Sequence, residues 1–149
     1  MALDSVSFAL QFTSTDPDRV DENAIGDRLG VTADYPIPAH GHRSGGSAVF
    51  VVEFPTVSVE GFGTDVSWED LDDERYERMA EDVERLQELI SVWVEDCAEE
   101  LVELRADGVK GRLIGNLWLD ADQLDLVLMP RLMLACGSND IEIYLLSNE

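Results

Sequence analysis

The feature that most constrains the fold is a long stretch without glycine or proline, from Thr64 to Asp107. Within it, apolar residues recur at steps of three and four, which places them on one face of an α-helix. The series is Tyr76, Met79, Val83, Leu86, Ile90, Trp93, Cys97, Leu101 and Leu104. The sequence therefore predicts an amphipathic helix over 68–104, begun by a capping-box-like start at Ser67 and Asp70. An unbroken helix of that span would be about 55 Å long, so a kink or a split into two helices is the alternative.

Shorter elements are predicted on both sides of this helix. Period-2 alternation in VSFALQF indicates a strand with one buried face, whereas the prolines and glycines of 31–47 indicate a long exposed loop. The remaining predictions are strands at 48–54, 56–60, 112–119, 124–129 and 140–146 and helices at 20–29 and 130–136, with 112–119 and 124–129 joined as a hairpin. The length fits a single domain over residues 1–149. We expect an α+β domain: an antiparallel or mixed sheet of about five strands with one long amphipathic acidic helix packed on it and two short helices.

Composition narrows the class of partner. The chain has 32 acidic and 10 basic residues, a formal charge of −22, and 45% apolar residues. So many apolar residues argue against a disordered acidic tail, and so few cations argue against direct binding to nucleic acid or an anionic membrane. The start MALDSVSFALQF lacks the basic region of a signal peptide, and Cys97 and Cys136 are expected to be reduced core thiols. These features predict a cytoplasmic protein.

Most of the negative charge belongs to the predicted long helix. Residues 64–107 contain 17 acids and 4 bases, and a helical wheel places a row of carboxylates opposite the apolar face. The acidic row is Asp70, Glu74, Glu77, Glu81, Glu88, Glu95 and Glu99, with Glu103 beside it. Glu74 with Arg78 and Glu81 with Arg85 are favourable pairs at i,i+4, but the acids from Glu88 to Glu103 have no base nearby in sequence. The row is read either as a solvated outer face or as a docking strip for a basic protein.

Other candidate sites are weaker. His40 and His42 are metal-ligand candidates in the glycine-rich segment 40–46, but no third ligand of fitting type is adjacent. The aspartates of 16–21 and 120–125 lack the glycine and glutamate of an EF-hand loop, so turn and cap chemistry explains them better. The chain has no nucleophile-elbow motif. We therefore expect no enzymatic activity and no cofactor.

Several short segments resemble a family of small bacterial α+β domains that includes immunity proteins of polymorphic toxin systems. They are VSFALQF, IGDRLGV leading to Pro36, the turn at Gly41-His42-Arg43, LQELISVWVEDCAEEL and DIEIYLL. The resemblance is one of layout over most of the chain, and it brings no catalytic residues with it. It implies a domain that binds and neutralises another protein.

The leading hypothesis is an immunity-type inhibitor that binds a basic partner, such as a nuclease toxin or another nucleic-acid-handling protein, through the acidic row. A second hypothesis is a salt-adapted domain, since molar salt screens the self-repulsion of a charge of −22. A third is a small ligand- or metal-binding domain that uses the 40–46 segment. A homodimer is left open.

Overall fold

The structure, a computed structural model, describes residues 3–31, 36–58, 61–62, 73–119 and 126–148. These residues form an α+β domain, as the order of elements predicted. The elements in chain order are β1 (Leu3–Ser14), α1 (Glu22–Arg28), β2 (Ala39–Ser44), β3 (Ser47–Glu53), β4 (Val57–Ser58), β5 (Gly61–Phe62), α2 (Asp73–Asp96), α3 (Ala98–Ala106), β6 (Val109–Leu119), α4 (Pro130–Ser138) and β7 (Glu142–Asn148).

The strands form one mixed sheet with β1 at its centre. One edge of β1 pairs antiparallel with β3 and, near its start, with β4, while the other edge pairs antiparallel with β6 over nearly its whole length. β2 extends the sheet beyond β3, and β7 extends it beyond β6 as the one parallel pair among the described strands. The described part of the chain thus contributes seven strands, more than the five expected, because two-residue strands follow Pro55 and the segment 39–44 is also a strand.

The two faces of the sheet differ sharply. On β1, Val6, Phe8, Leu10 and Phe12 are buried, whereas the alternating residues between them are only half-buried. The four described helices pack on the first face, where Trp93 of α2 contacts the rings of Phe12 and Phe54 at centroid distances of 6.3 and 6.2 Å. We call this face the helical side and the opposite one the open face, because none of the described helices covers it.

The prediction of a long exposed loop at 31–47 is wrong for residues 39–44, because these residues form β2. Residues 32–35 lie outside the described part of the chain. The strand carries almost no apolar signal because five of its six residues are exposed. Its pairing is set instead by the turn, since Gly45 and Gly46 both adopt positive φ, 57° and 83°, between the paired residues Ser44 and Ser47. Two consecutive positive φ values define the type I′ hairpin that glycine pairs favour.

The predicted long helix is interrupted at Cys97. The alternative of two helices is therefore correct, and a continuous helix is not formed. Cys97 has φ −98° and ψ 11°, outside the α region, and separates α2 from α3. The apolar face nevertheless continues across the break, because Ile90, Trp93, Leu101 and Leu104 are all buried. The predicted start at 67–70 lies outside the described residues.

The hairpin expected between 112–119 and 124–129 is wrong over 126–129, which is not a strand; residues 124–125 lie outside the described part. This segment is tied to α2 instead. The side-chain amide of Gln87, which is 1% exposed, donates to the Val127 carbonyl at 3.0 Å and accepts from the Met129 amide at 2.7 Å. Gln87 thereby provides the hydrogen bonds that a neighbouring strand would otherwise provide. α4 begins at Pro130 as predicted and runs to Ser138, two residues farther than expected, with Gly137 inside the helix.

Candidate docking surface

The acidic row lies on the solvent side of α2 and α3 wherever its side chains are described. Glu81, Glu88 and Glu95 are exposed on α2, and Glu99 and Glu103 are exposed on α3. Glu74 and Glu77 lie in the first turns of α2, but their side chains are outside the described part, as is all of Asp70. The structure therefore places five of the predicted residues on the surface of the helical side.

The row is less uniform in charge than its sequence suggests. Glu81 and Arg85 form the expected i,i+4 pair at 4.0 Å, and Arg85 also lies 3.4 Å from Asp82, a carboxylate that is nearly buried. The expectation that every acid from Glu88 to Glu103 lacks a base is wrong for Glu95. Arg131 of α4 donates from Nε to Oε1 at 3.0 Å and from Nη2 to Oε2 at 2.8 Å. The hydrogen bonds from Arg131 hold the pKa of Glu95 below its usual range.

Exposed aliphatic side chains flank this ion pair. Val92 precedes Glu95 by three residues on α2 and is 40% exposed, while Leu134 follows Arg131 by three residues on α4 and is 71% exposed. Residues three apart are neighbours on a helix surface, so each aliphatic side chain lies beside one member of the pair. Exposed Leu89, Met133 and Val127 belong to the same two elements and the segment before α4.

We define the docking surface as Glu88, Leu89, Val92, Glu95, Arg131 and Leu134. It combines exposed apolar side chains with charged ones, as protein interfaces commonly do. The sequence pattern identified the carboxylates. It missed Arg131 and Leu134 because they come from a helix about 36 residues later, whose orientation depends on the packing of α4 against α2.

A second cluster of ion pairs lies on the helical side, where α3 ends. Asp107, directly after α3, accepts from Arg19 at 3.0 Å and from Arg28 of α1. The hydrogen bond from Arg28 is the main reason that the pKa of Asp107 lies below its ordinary value of 3.8. The three residues link α1 and the segment before it to the turn between α3 and β6. Their role is therefore to stabilise the fold. The aspartates of 16–21 are likewise structural, since Asp21 caps α1 by accepting from the Ala24 amide at 2.8 Å.

His40 and His42 share the open face of β2, and their rings stack at a centroid distance of 5.6 Å. Among the described residues, no group of three histidine, cysteine, aspartate or glutamate side chains is placed to hold a metal ion. The pair therefore lacks the third ligand that a tetrahedral protein site needs. Asp120, Asp122 and Asp125 lie outside the described residues.

The two cysteines are free thiols, Cys97 half-buried and Cys136 buried. Burial raises the pKa of each to about 11, and at Cys97 the charges of Glu100 and Asp96 add to the effect of burial. Because the thiolate is the reactive form, neither environment is that of a catalytic nucleophile.

No family model matches this chain, and neither a curated protein nor a solved structure does. The resemblance to immunity domains therefore stays a prediction. Among the described helices, none is long and apolar enough to cross a membrane.

Proposed function

We propose that this protein is an inhibitor of the immunity type, which binds a basic protein through the docking surface and blocks its activity. The observation that supports this most directly is the combination of exposed aliphatic side chains with carboxylates on one side of the domain. Solvated carboxylates alone would explain an acidic helix. They would not explain why the aliphatic side chains of Val92 and Leu134 are exposed beside the Glu95–Arg131 pair.

The two kinds of side chain would have different roles in binding. Complementary surface charge mainly speeds encounter and enforces specificity, and this is the role of Glu88 and, beyond the docking surface, of Glu99. Affinity comes mainly from a few well-packed side chains near the centre of an interface, which assigns that role to Val92 and Leu134. The Glu95–Arg131 pair is only half-exposed and would fix the spacing between α2 and α4.

The class of partner follows from charge. The acidic row of α2 and α3, which continues beyond this surface to Glu81, Glu99 and Glu103, complements a protein that itself binds nucleic acid, such as a nuclease toxin, because such proteins carry clustered Lys and Arg. An inhibitor of this kind needs no cofactor and no catalytic residues, and it works in the cytoplasm, where the toxin's substrate is found.

The test begins with in-cell crosslinking to identify the partner, followed by calorimetry with the purified partner at increasing salt. Glu88→Lys should weaken binding by about tenfold at low salt, and the loss should shrink as salt rises. Leu134→Ser should weaken binding by about tenfold or more at every salt concentration, since its contribution is apolar. The partner's own activity should fall as equimolar wild-type protein is added.

Matched controls come from the open face. Glu53→Lys makes the same change in net charge, and Leu146→Ser removes another exposed leucine, 50% exposed against 71% for Leu134; each should leave the affinity within about twofold of wild type. A partner whose affinity ignores both ionic strength and Glu88→Lys would contradict the proposal. So would a partner that is bound but not inhibited.

Salt adaptation is the second candidate, and one observation favours it. Exposed carboxylates also occur away from the docking surface, for example Asp18, Glu53 and Glu84. Thermal melts in dilute buffer and in multimolar potassium chloride separate the two candidates. Cooperative folding in dilute buffer supports the docking interpretation, whereas folding only in high salt would assign the acidity to the solvent.

A further inference from the structure

Two cations on the open face differ from the other described basic side chains in their ion pairing. Every other described Arg side chain lies within 4.0 Å of a carboxylate, in pairs that involve Arg19, Arg28, Arg43, Arg85, Arg105 and Arg131. Lys110 and Arg112, both exposed on β6, take part in none of the described ion pairs. In a chain with a net charge of −22, carboxylates are abundant, so two neighbouring cations without one require an explanation.

The register of the sheet brings these cations together with polar side chains. Lys110 and Arg112 are two residues apart on one face of β6, roughly 7 Å along the strand. Thr13 is the partner of Lys110 on β1, and Gln11 is the partner of Arg112. Hydroxyls from Thr15, Ser44 and Ser47 complete the lining of a groove of about 410 Å³, with Val49 as its apolar residue. No carboxylate lines this groove.

Arg112 is held in place by its neighbour on β7. Its guanidinium lies 4.9 Å from the centre of the Tyr144 ring, in the stacked arrangement that arginine commonly adopts on aromatic rings. The nearest carboxylate in the register, Glu142, instead accepts from the Tyr144 hydroxyl at 2.6 Å. The ring thus contacts Arg112, and its hydroxyl engages Glu142, which with Asp140 is one of two acids that lie near Lys110 and Arg112.

We propose that this groove is a binding site for an oxyanion, a phosphate or carboxylate group of a small molecule, held by Lys110 and Arg112. The planar guanidinium suits bidentate contact with either group, and the ammonium adds a point charge beside it. The hydroxyls of Thr13, Ser44 and Ser47 supply neutral donors around the same volume. The site lies on the face of the sheet opposite the docking surface and does not depend on it.

The experiment is an NMR titration of the labelled full chain, with inorganic phosphate in one arm and acetate in the other. Chloride is replaced at constant ionic strength, so that general screening of the acidic surface stays fixed. At least one anion should cause saturable shifts at Lys110, Arg112, Thr13 and Ser47, with a millimolar dissociation constant. The arm with the tighter constant identifies the preferred group.

Arg112→Gln and Lys110→Gln should each weaken binding by about tenfold or more, as expected for loss of a charge-assisted hydrogen bond. Arg85→Gln is the matched control, because it removes the same charge from the helical side and should leave the constant within about twofold. The proposal is overturned by shifts that do not saturate with either anion, by shifts that map to the helical side, or by binding that survives Arg112→Gln unchanged. The wild-type map decides the matter even if a variant folds poorly.

Discussion

The two sides of the sheet differ in burial and in polarity, although their residues alternate along the same strands. The helical side buries Phe8, Leu10 and Phe12 of β1 under four helices, and more than half of the acidic side chains that the structure describes belong to those helices. Among its described residues the open face shows serine, threonine and glutamine, the exposed apolar side chains of Trp118 and Leu146, and two cations that take part in none of the described ion pairs. The described acids are therefore distributed unevenly between the two sides, which the net value of −22 conceals.

The largest test of this contrast uses adjacent residues of β1. Phe12→Ala should lower the free energy of unfolding by about 3–5 kcal/mol, because it removes a buried ring that packs on Trp93 and leaves a cavity. Thr13→Ala, one residue later on the open face, should change it by about 0.5 kcal/mol or less. Urea unfolding followed by circular dichroism measures both. Equal losses at the two positions would mean that the open face is covered.

The next test concerns a buried polar contact on the helical side. Gln87→Met should cost about 2–3 kcal/mol, since the Val127 carbonyl and the Met129 amide lose their hydrogen-bond partner. Gln11→Met, the same substitution at a half-buried site on the open face, should cost about 0.5 kcal/mol or less. Denaturant midpoints compared at a common slope provide the measurement. A small effect at Gln87 would show that the 126–129 segment adds little to the stability of the fold.

The smallest expected effect concerns pH. The pKa of Asp107 is lower in the folded protein than its ordinary value of 3.8, so ionised Asp107 stabilises the fold above that value. The contribution is lost as the pH falls below 3.8 and through the folded pKa. Asp107→Asn should therefore lower the melting temperature slightly at pH 7, and the gap from wild type should close at low pH. A gap that stays constant with pH would assign the loss to packing rather than to the charge.

Local patterns predicted the parts of the fold that one segment determines alone. The alternation in β1 and the spacing from Met79 to Leu104 identified the correct buried faces, because burial repeats with the period of the element. The break at Cys97 has no glycine or proline to mark it, so the sequence could offer it only as an alternative. β2 was missed because its signal lies in the Gly45-Gly46 turn rather than in the strand itself.

The candidate surfaces were predictable to a lesser degree, because each joins residues from distant segments. The helical wheel predicted that Glu88 and Glu95 are exposed. The contact between Arg131 and Glu95, however, depends on the packing of α4 on α2. Segment 126–129 has the apolar composition of a strand and hydrogen-bonds to a side chain instead. The pairing of Lys110 with Thr13 across β6 and β1 requires the register of the sheet, which no local pattern contains.

The central position of β1 also determines when the fold can be completed. Its long partner β6 lies about 100 residues later in the chain, whereas β3 is much closer in sequence and can pair with it early. Contacts between such distant segments slow folding because a large loop must close first. During synthesis, the edge of β1 that receives β6 stays open until residues 109–119 have left the ribosome. Until then this edge of β1 is unpaired, and unpaired strand edges in incompletely folded chains are prone to aggregation.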